Sequence, residues 1–185
     1  MDNIVINYKK LAQVIGDGGV AVMPTDTIYG VVGSALRPDV VSRLYKLRRR
    51  NLKKPMIILI GSIKDLDLFG IWPGVRVKKI LAGIWPGKVS IILACRSSRF
   101  QYLHRGKKSI AFRLPQNARL RALIKKTGPL VAPSANPEGQ PPARNIREAK
   151  RYFGKEVNLY ADGGTIDSAP SRLIEIRGGK TIVLR

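Results

Sequence analysis

The chain is short of the residues from which many enzymes build a reactive centre. Its 185 residues contain one cysteine, Cys95, and one histidine, His104. An internal disulfide is excluded, and the usual zinc ligand sets and Ser-His-Asp relays lack their parts. Acids number 12 against 34 Lys and Arg, so paired-carboxylate chemistry has little to draw on. There is no G-x-x-x-x-G-K-[ST]; Gly83–Val89 lacks both the spacing and the terminal hydroxyl. There is no G-x-G-x-x-G either. No apolar run approaches the roughly 18–20 residues of a membrane span. Met1-Asp-Asn-Ile-Val5 carries no basic region and no long apolar segment, so no secretory signal is read and a cytoplasmic location is expected. Whatever is catalysed must rest on positioning and electrostatics, with substrates that bring their own reactivity.

What is abundant is positive charge. The balance of 34 Lys+Arg and 12 Asp+Glu is +22, spread from Lys9 to Arg185 with no basic tail. That distribution points to a basic surface on a folded domain and to a polyanion, such as tRNA or other RNA, as partner. A cell interior that favours cationic proteins is the other source of such an excess. Aromatics are 6% and little interleaved with the cations, which argues against a stacking platform for single strands. Apolar content of 44% and charged content of 25% fit one ordinary globular domain spanning residues 1–185. Cys95, at the end of Ile91-Ile-Leu-Ala-Cys95, reads as a core thiol. His104, within Arg99–Lys108, reads as a solvated loop residue, and Trp85 as a packing residue.

Helices and strands mix along the chain. Asn7, Asp39, Asn117 and Asn145 are candidate caps of helices carrying Leu11/Ile15, Leu44/Tyr45, Leu120/Leu123 and a stretch ending at Phe153. Ser62-Ile-Lys-Asp65 resembles a capping box, and Arg76–Ala82 is a further short helix. Strands are expected at Val20–Met23, Met56–Ile60, Val89–Ala94, Ile110–Leu114, Leu130–Ala132, Val157–Ala161, Leu173–Ile176 and Thr181–Leu184, the last two joined through Gly178-Gly179. The absence of strict β-α alternation predicts an α/β fold with a mixed parallel and antiparallel sheet flanked by helices.

Two polar stretches each follow a short apolar run: Pro24-Thr-Asp-Thr-Ile-Tyr-Gly30 and Pro133-Ser-Ala-Asn136. Loops at the ends of buried strands are where an open α/β sheet places its ligand. Between them lies Arg48-Arg-Arg-Asn-Leu-Lys-Lys54, which supplies cations for phosphate. Arg113 stands between Phe112 and Leu114, and a mid-strand Arg needs an anionic partner. Further motifs are Lys54-Pro-Met-Ile-Ile-Leu59, Trp85-Pro-Gly-Lys-Val89, Ala161-Asp-Gly-Gly164 and Pro170-Ser-Arg-Leu-Ile174.

In this order and spacing, over residues 8–177, the chain resembles the YrdC-like threonylcarbamoyl-AMP synthase family, in its short, single-domain branch. The resemblance implies a twisted open sheet with a basic concave groove. It implies conversion of L-threonine, bicarbonate and ATP, helped by Mg²⁺, to threonylcarbamoyl-AMP and pyrophosphate. Downstream threonylcarbamoyl transferase proteins would use the product to modify tRNA. By position, Arg48, Arg50 and Lys54 match the family's catalytic phosphate-binding cations, with Arg48 replacing a lysine. Ser134 and Asn136 fall near the phosphate, Thr27 and Arg113 at the amino-acid end, and Ser171 and Arg177 on a segment closing over the ligand. Arg177 is thereby grouped with the ATP-binding residues and Ser171 with the threonine-binding ones. Leu59 stands where the long branch often has a histidine.

Each of these residues also has a structural use: the threonines and Ser134/Asn136 as turn residues, and Arg48–Lys54 as a solvated helix end. Two other functions remain open on sequence grounds. One is a non-catalytic RNA-binding module of the same fold. The other is a carbamoyl-AMP-forming domain of the kind embedded in much longer hydrogenase-maturation proteins.

Overall fold

The computed structural model describes residues 6–178 and 180–185. The Met1–Val5 stretch and Gly179 of the expected hairpin turn lie outside the described residues. Nine strands form one sheet: β1 (Ala21–Pro24), β2 (Tyr29–Ser34), β3 (Ile58–Leu59), β4 (Val89–Ala94), β5 (Ser109–Arg113), β6 (Leu130–Val131), β7 (Leu159–Tyr160), β8 (Arg172–Arg177) and β9 (Lys180–Val183). Their order across the sheet is β7-β1-β2-β6-β3-β5-β4-β8-β9. The β1/β7, β3/β5 and β4/β8 pairs are parallel and the rest antiparallel, so the mixed sheet expected from the sequence is what forms.

Side chains alternate across a strand, and that alternation separates two cores. Val20, Val22, Ile58 and Ile60 pack on one face with α2 (Pro38–Leu47), α3 (Val75–Ile84), α4 (Gln101–His104) and α6 (Ile146–Phe153). Ala21, Met23 and Leu59 pack on the other face with α1 (Tyr8–Gly16) and α5 (Ala118–Thr127). Each fully buried Leu, Ile or Phe contributes about 1.5–3 kcal/mol.

The helix starts follow ordinary capping chemistry. Asn7, Asn117 and Asn145 accept the Lys10, Leu120 and Glu148 N–H groups at 2.9, 3.0 and 3.0 Å. Asp39 does not cap α2. Pro38 occupies the first turn, which moves the cap to Arg37, and Asp39 pairs with Arg37 at 3.0 Å. Ser62 and Asp65 form the expected box, which opens a 3-10 helix over Ile63–Phe69.

Three further expectations change. β2 was not foreseen: Gly30, Gly33 and Ser34 interrupt its apolar pattern, and burial on both faces removes alternation. The strands over 56–60 and 157–161 shrink to two residues each. His104 is 4% exposed, not solvated; its Nδ1 accepts the Gly106 N–H at 3.2 Å, and its Nε2 lies 3.3 Å from the Ser97 carbonyl. Cys95 and Trp85 are in the core as expected, and the Trp85 indole donates to the Val89 carbonyl at 2.7 Å. No helix among the described residues is long and apolar enough to cross a membrane.

Candidate active site

The first polar stretch is the turn that joins β1 to β2. Thr25 closes it, its N–H and hydroxyl both reaching the Ile28 carbonyl, at 3.1 and 2.7 Å. Thr25 Oγ1 also lies 3.1 Å from Thr27 Oγ1 and accepts the Thr27 N–H at 3.2 Å. The Ser168 hydroxyl donates to the Thr27 carbonyl.

The second polar stretch follows β6 and lies directly against the first. Val31 donates to the Pro133 carbonyl at 3.0 Å, and Ala135 donates to the Tyr29 carbonyl at 2.9 Å. Gly30 and Ser134 form an isolated antiparallel bridge between these hydrogen bonds. A side chain at Gly30 would put a Cβ 3.2 Å from Thr25 Cγ2 and 3.3 Å from the Pro133 carbonyl, so the glycine permits this approach. The sequence places these motifs about a hundred residues apart; the sheet makes them one surface.

Arg48 ends α2 and is 4% exposed. Its Nε donates to the Asn136 carbonyl at 2.9 Å, and its Nη2 lies 3.1 Å from Ser134 Oγ and 3.4 Å from Asn136 Oδ1. Burial lowers its pKa to about 10, Arg50 adds to that, and Glu138 opposes it. Arg50 donates to the Lys54 and Pro55 carbonyls at 3.1 and 3.0 Å, which fixes its guanidinium at the cleft edge.

Arg113 ends β5 on the face opposite Phe112. It is 4% exposed, and burial lowers its pKa while Asp26 pushes it back up. Nη1 donates to Thr27 Oγ1 at 3.1 Å, Nη2 lies 3.4 Å from Thr25 Oγ1, and Nη2 is 3.0 Å from Asp26 Oδ1. The buried Nε has no hydrogen-bond partner among the described residues. Ser171, at the start of β8, is 3% exposed and 2.9 Å from Ser90 Oγ on β4.

These elements enclose a cleft of about 220 Å³, whose walls include Thr27, Arg48, Arg50, Arg113, Ser134 and Ser171. Two expected residues are held elsewhere. Lys54 Nζ is 2.7 Å from Glu138 Oε1, and Arg177 Nη2 is 2.8 Å from Glu175 Oε2 with its side chain 68% exposed. Each cation meets a nearby carboxylate, and neither lines the cleft. Asn136 stands behind the wall, its amide donating to the Pro137 and Gln140 carbonyls at 2.9 and 2.6 Å. Leu59 is fully buried in the second core, while Met56 and Ile57 face the cleft.

Sequence reasoning missed four participants. Asp26 is the buried anion beside Arg113, and the need for such a partner was itself the signal. Arg185 lines the cleft. Tyr29 donates to the Gly164 carbonyl at 2.7 Å and accepts the Gly163 N–H at 2.8 Å, anchoring the Ala161–Gly164 segment. Glu138 clasps Lys54 and the Asn51 N–H, the latter at 2.6 Å. Its carboxyl is held down to about 2, first by the Lys54 hydrogen bond and then by the Asn51 N–H.

A mixed open sheet whose loop ends gather arginines and hydroxyls around one cleft defines an α/β ligand-binding protein that can neutralise anions. The family model described as Sua5_yciO_yrdC, telomere recombination, matches residues 13–185, and the chain belongs to this family. It is 29% identical to a threonylcarbamoyl-AMP synthase of Stutzerimonas stutzeri, over 94% of this chain and 95% of that one. It is 32% identical to the threonylcarbamoyl-AMP synthase of Pseudomonas paraeruginosa, over 82% of each chain. Among solved structures, P. abyssi Sua5 complexed with L-threonine superposes with a TM-score of 0.86 at 25% identity, over 96% of this chain and 53% of that one. The chain thus spans about half the length of that protein.

Proposed function

We propose that this chain is a threonylcarbamoyl-AMP synthase: it joins L-threonine, bicarbonate and ATP to give threonylcarbamoyl-AMP and pyrophosphate. The observation that carries this reading is the convergence of Arg48, Arg50, Arg113, Thr27 and Ser134 on one cleft, in a chain whose relatives bear that name.

The cleft has two ends. Arg113, with a buried and unpartnered Nε, suits the threonine carboxylate; Thr27 accepts from it, and Ser171 lines the same cleft. Arg48, Arg50 and Ser134 suit the phosphates, with Arg185 as a further cation. Threonine's amine and bicarbonate form a carbamate with loss of water. A carbamate oxygen then attacks the α-phosphorus, and the bond to the β-phosphate oxygen breaks as pyrophosphate leaves. The protein's part is to align the reactants and neutralise charge gathering on the phosphates. Lys54 and Arg177 could join only by leaving their carboxylates, and Asn136 acts by shaping the Ser134 loop.

Mg²⁺ fits this reading as a companion of the nucleotide. Among the described residues no three His, Cys, Asp or Glu side chains converge to hold a metal. Mg²⁺ commonly binds through substrate phosphates with few protein ligands.

Residues 1–185 are read as one domain on the continuity of the sheet, and a cytoplasmic location is proposed with it. RNA is the proposed partner of the outer surface. Five ion pairs occur among the described residues, leaving most of the 34 cations without an acidic neighbour. Trp72 is 76% exposed, close in sequence to exposed Arg76, Lys78 and Lys79. That single aromatic among cations offers the base contact that overall composition argued against. Downstream transferase proteins would take up the product.

The test is pyrophosphate release from ATP with threonine and bicarbonate omitted in turn. Release should need both. A basic RNA-binding module without activity would bind RNA and release none, whatever was added.

A further inference from the structure

Arg113 is buried with a counter-ion already in place. Asp26 projects from the β1–β2 turn with its side chain 4% exposed, and its Oδ1 is 3.0 Å from Arg113 Nη2. The contact is close but poorly directed, because Oδ1 makes no hydrogen bond of good geometry. Oδ2 is held firmly, accepting the Gln116 N–H at 3.0 Å. Gln116 follows β5 by three residues, so Asp26 ties the turn to the segment just beyond Arg113. Nε, on the same edge of the guanidinium as Nη2, is buried and has no partner among the described residues.

An uncompensated buried guanidinium is strongly destabilising, so an empty site of this kind needs an internal anion. That anion has a second effect once a carboxylate arrives. The cluster then holds two negative charges on one positive one, in a poorly solvated place where they repel. An Arg fork reaches a carboxylate best through two parallel N–H donors. The fork formed by Nε and Nη2 includes the nitrogen that Asp26 already occupies.

We propose that Asp26 is a positioning residue that serves as the resident counter-ion of Arg113, and that it sets how tightly the amino-acid carboxylate is held. It keeps Arg113 folded and aimed when the site is empty. It then weakens the bound carboxylate by repulsion and by competition for Nη2. This rests on the reading of Arg113 as the carboxylate site.

The experiment compares Asp26→Asn and Asp26→Glu with the unaltered protein. Threonine and threonine amide are titrated by thermal shift, and KM for threonine and for ATP is measured by pyrophosphate release. Asp26→Asn should lower the melting temperature of the free protein. It should also tighten threonine by about tenfold, the worth of one charge-assisted contact. Threonine amide and ATP should be unaffected, and Asp26→Glu, which keeps the negative charge, should show no such tightening. Weaker threonine binding in Asp26→Asn overturns the proposal, as does equal tightening in Asp26→Glu. An Asp26→Asn protein that stays unfolded at saturating threonine overturns it too, because a bound carboxylate should replace the lost one. The thermal-shift arm needs no turnover. A chain that binds threonine with this pattern but releases no pyrophosphate would therefore sink the proposed activity and leave the role of Asp26 standing.

Discussion

Arg48 Nη2 lies 3.1 Å from Ser134 Oγ, so the C-cap residue of α2 holds the loop that follows β6. The two residues are 86 positions apart, and the contact joins one cationic and one hydroxyl wall of the cleft. A guanidinium fork can grip Ser134 and the Asn136 carbonyl together, which the point charge of a lysine cannot do. The arginine here thus has a structural use beyond charge.

Ser134→Ala and Asn136→Ala should therefore separate. Ser134→Ala is expected to cut product formation while the melting temperature stays within a few degrees. Asn136→Ala removes a 6% exposed amide that satisfies two carbonyls. Leaving such groups unpaired costs about 1–3 kcal/mol, a fall of several degrees for a chain of this size. Melting curves and initial rates on the two variants check this. An intact melting curve for Asn136→Ala would show the loop to be held by other contacts.

Arg50→Ala should weaken ATP more than threonine. Loss of one charge-assisted contact to phosphate costs about 1.5–3 kcal/mol, tenfold or more in affinity. Lys54→Ala should have a smaller effect, because its ammonium is committed to Glu138 on an exposed surface. Separate titrations of each substrate decide it; equal losses for ATP and threonine would remove Arg50 from the phosphate end.

Arg113→Lys should raise KM for threonine and leave ATP binding unchanged. A lysine keeps the charge beside Asp26 but cannot present two parallel donors to a carboxylate. Unchanged threonine dependence in the variant would place Arg113 outside the amino-acid end.

Acid should loosen the clasp at Glu138. Its carboxyl sits at about 2 in the folded protein against 4.5 ordinarily. A depressed acid contributes stability that is present above pH 4.5 and is lost as pH falls toward 2. The melting temperature of the unaltered protein should fall faster over that interval than that of Glu138→Gln. Parallel curves would mean that the exposed Lys54 pair contributes nothing measurable.

RNA binding should be strong near 50 mM salt and largely indifferent to sequence. Each phosphate neutralised should add about −0.7 to −0.9 to the slope of log affinity against log salt. Trp72→Ala should weaken unpaired RNA without altering that slope, since stacking releases no counterions. Undetectable binding at low salt would give the excess charge another origin.

Much of this architecture was legible from local chemistry. The asparagine caps, the apolar faces of α1 and α5 and the paired motifs at 24–30 and 133–136 depend on neighbours a few residues away. What escaped depends on distant partners. Tyr29–Ser34 is a strand because β1 and β6 flank it, not because its residues alternate. His104 is buried by packing that its polar, cationic sequence neighbours conceal. Lys54 has the charge and position for a phosphate site, yet it is engaged by Glu138, a carboxylate 84 positions away that only the folded chain brings near. The partner of Arg177 is Glu175, two residues back on the same face of β8, and was within reach of the sequence.

The two tryptophans stand in opposite surroundings, although each opens a Trp-Pro-Gly stretch. Trp85 is 4% exposed and donates its indole N–H to a backbone carbonyl, whereas Trp72 is 76% exposed. Their fluorescence therefore divides the molecule into two optical channels. Trp72 should emit further to the red and be open to collisional quenchers, while Trp85 should emit further to the blue and change when the core opens. In a Trp72→Phe protein the remaining signal should follow unfolding, and in a Trp85→Phe protein it should report any RNA contact near Trp72, with no label added to either.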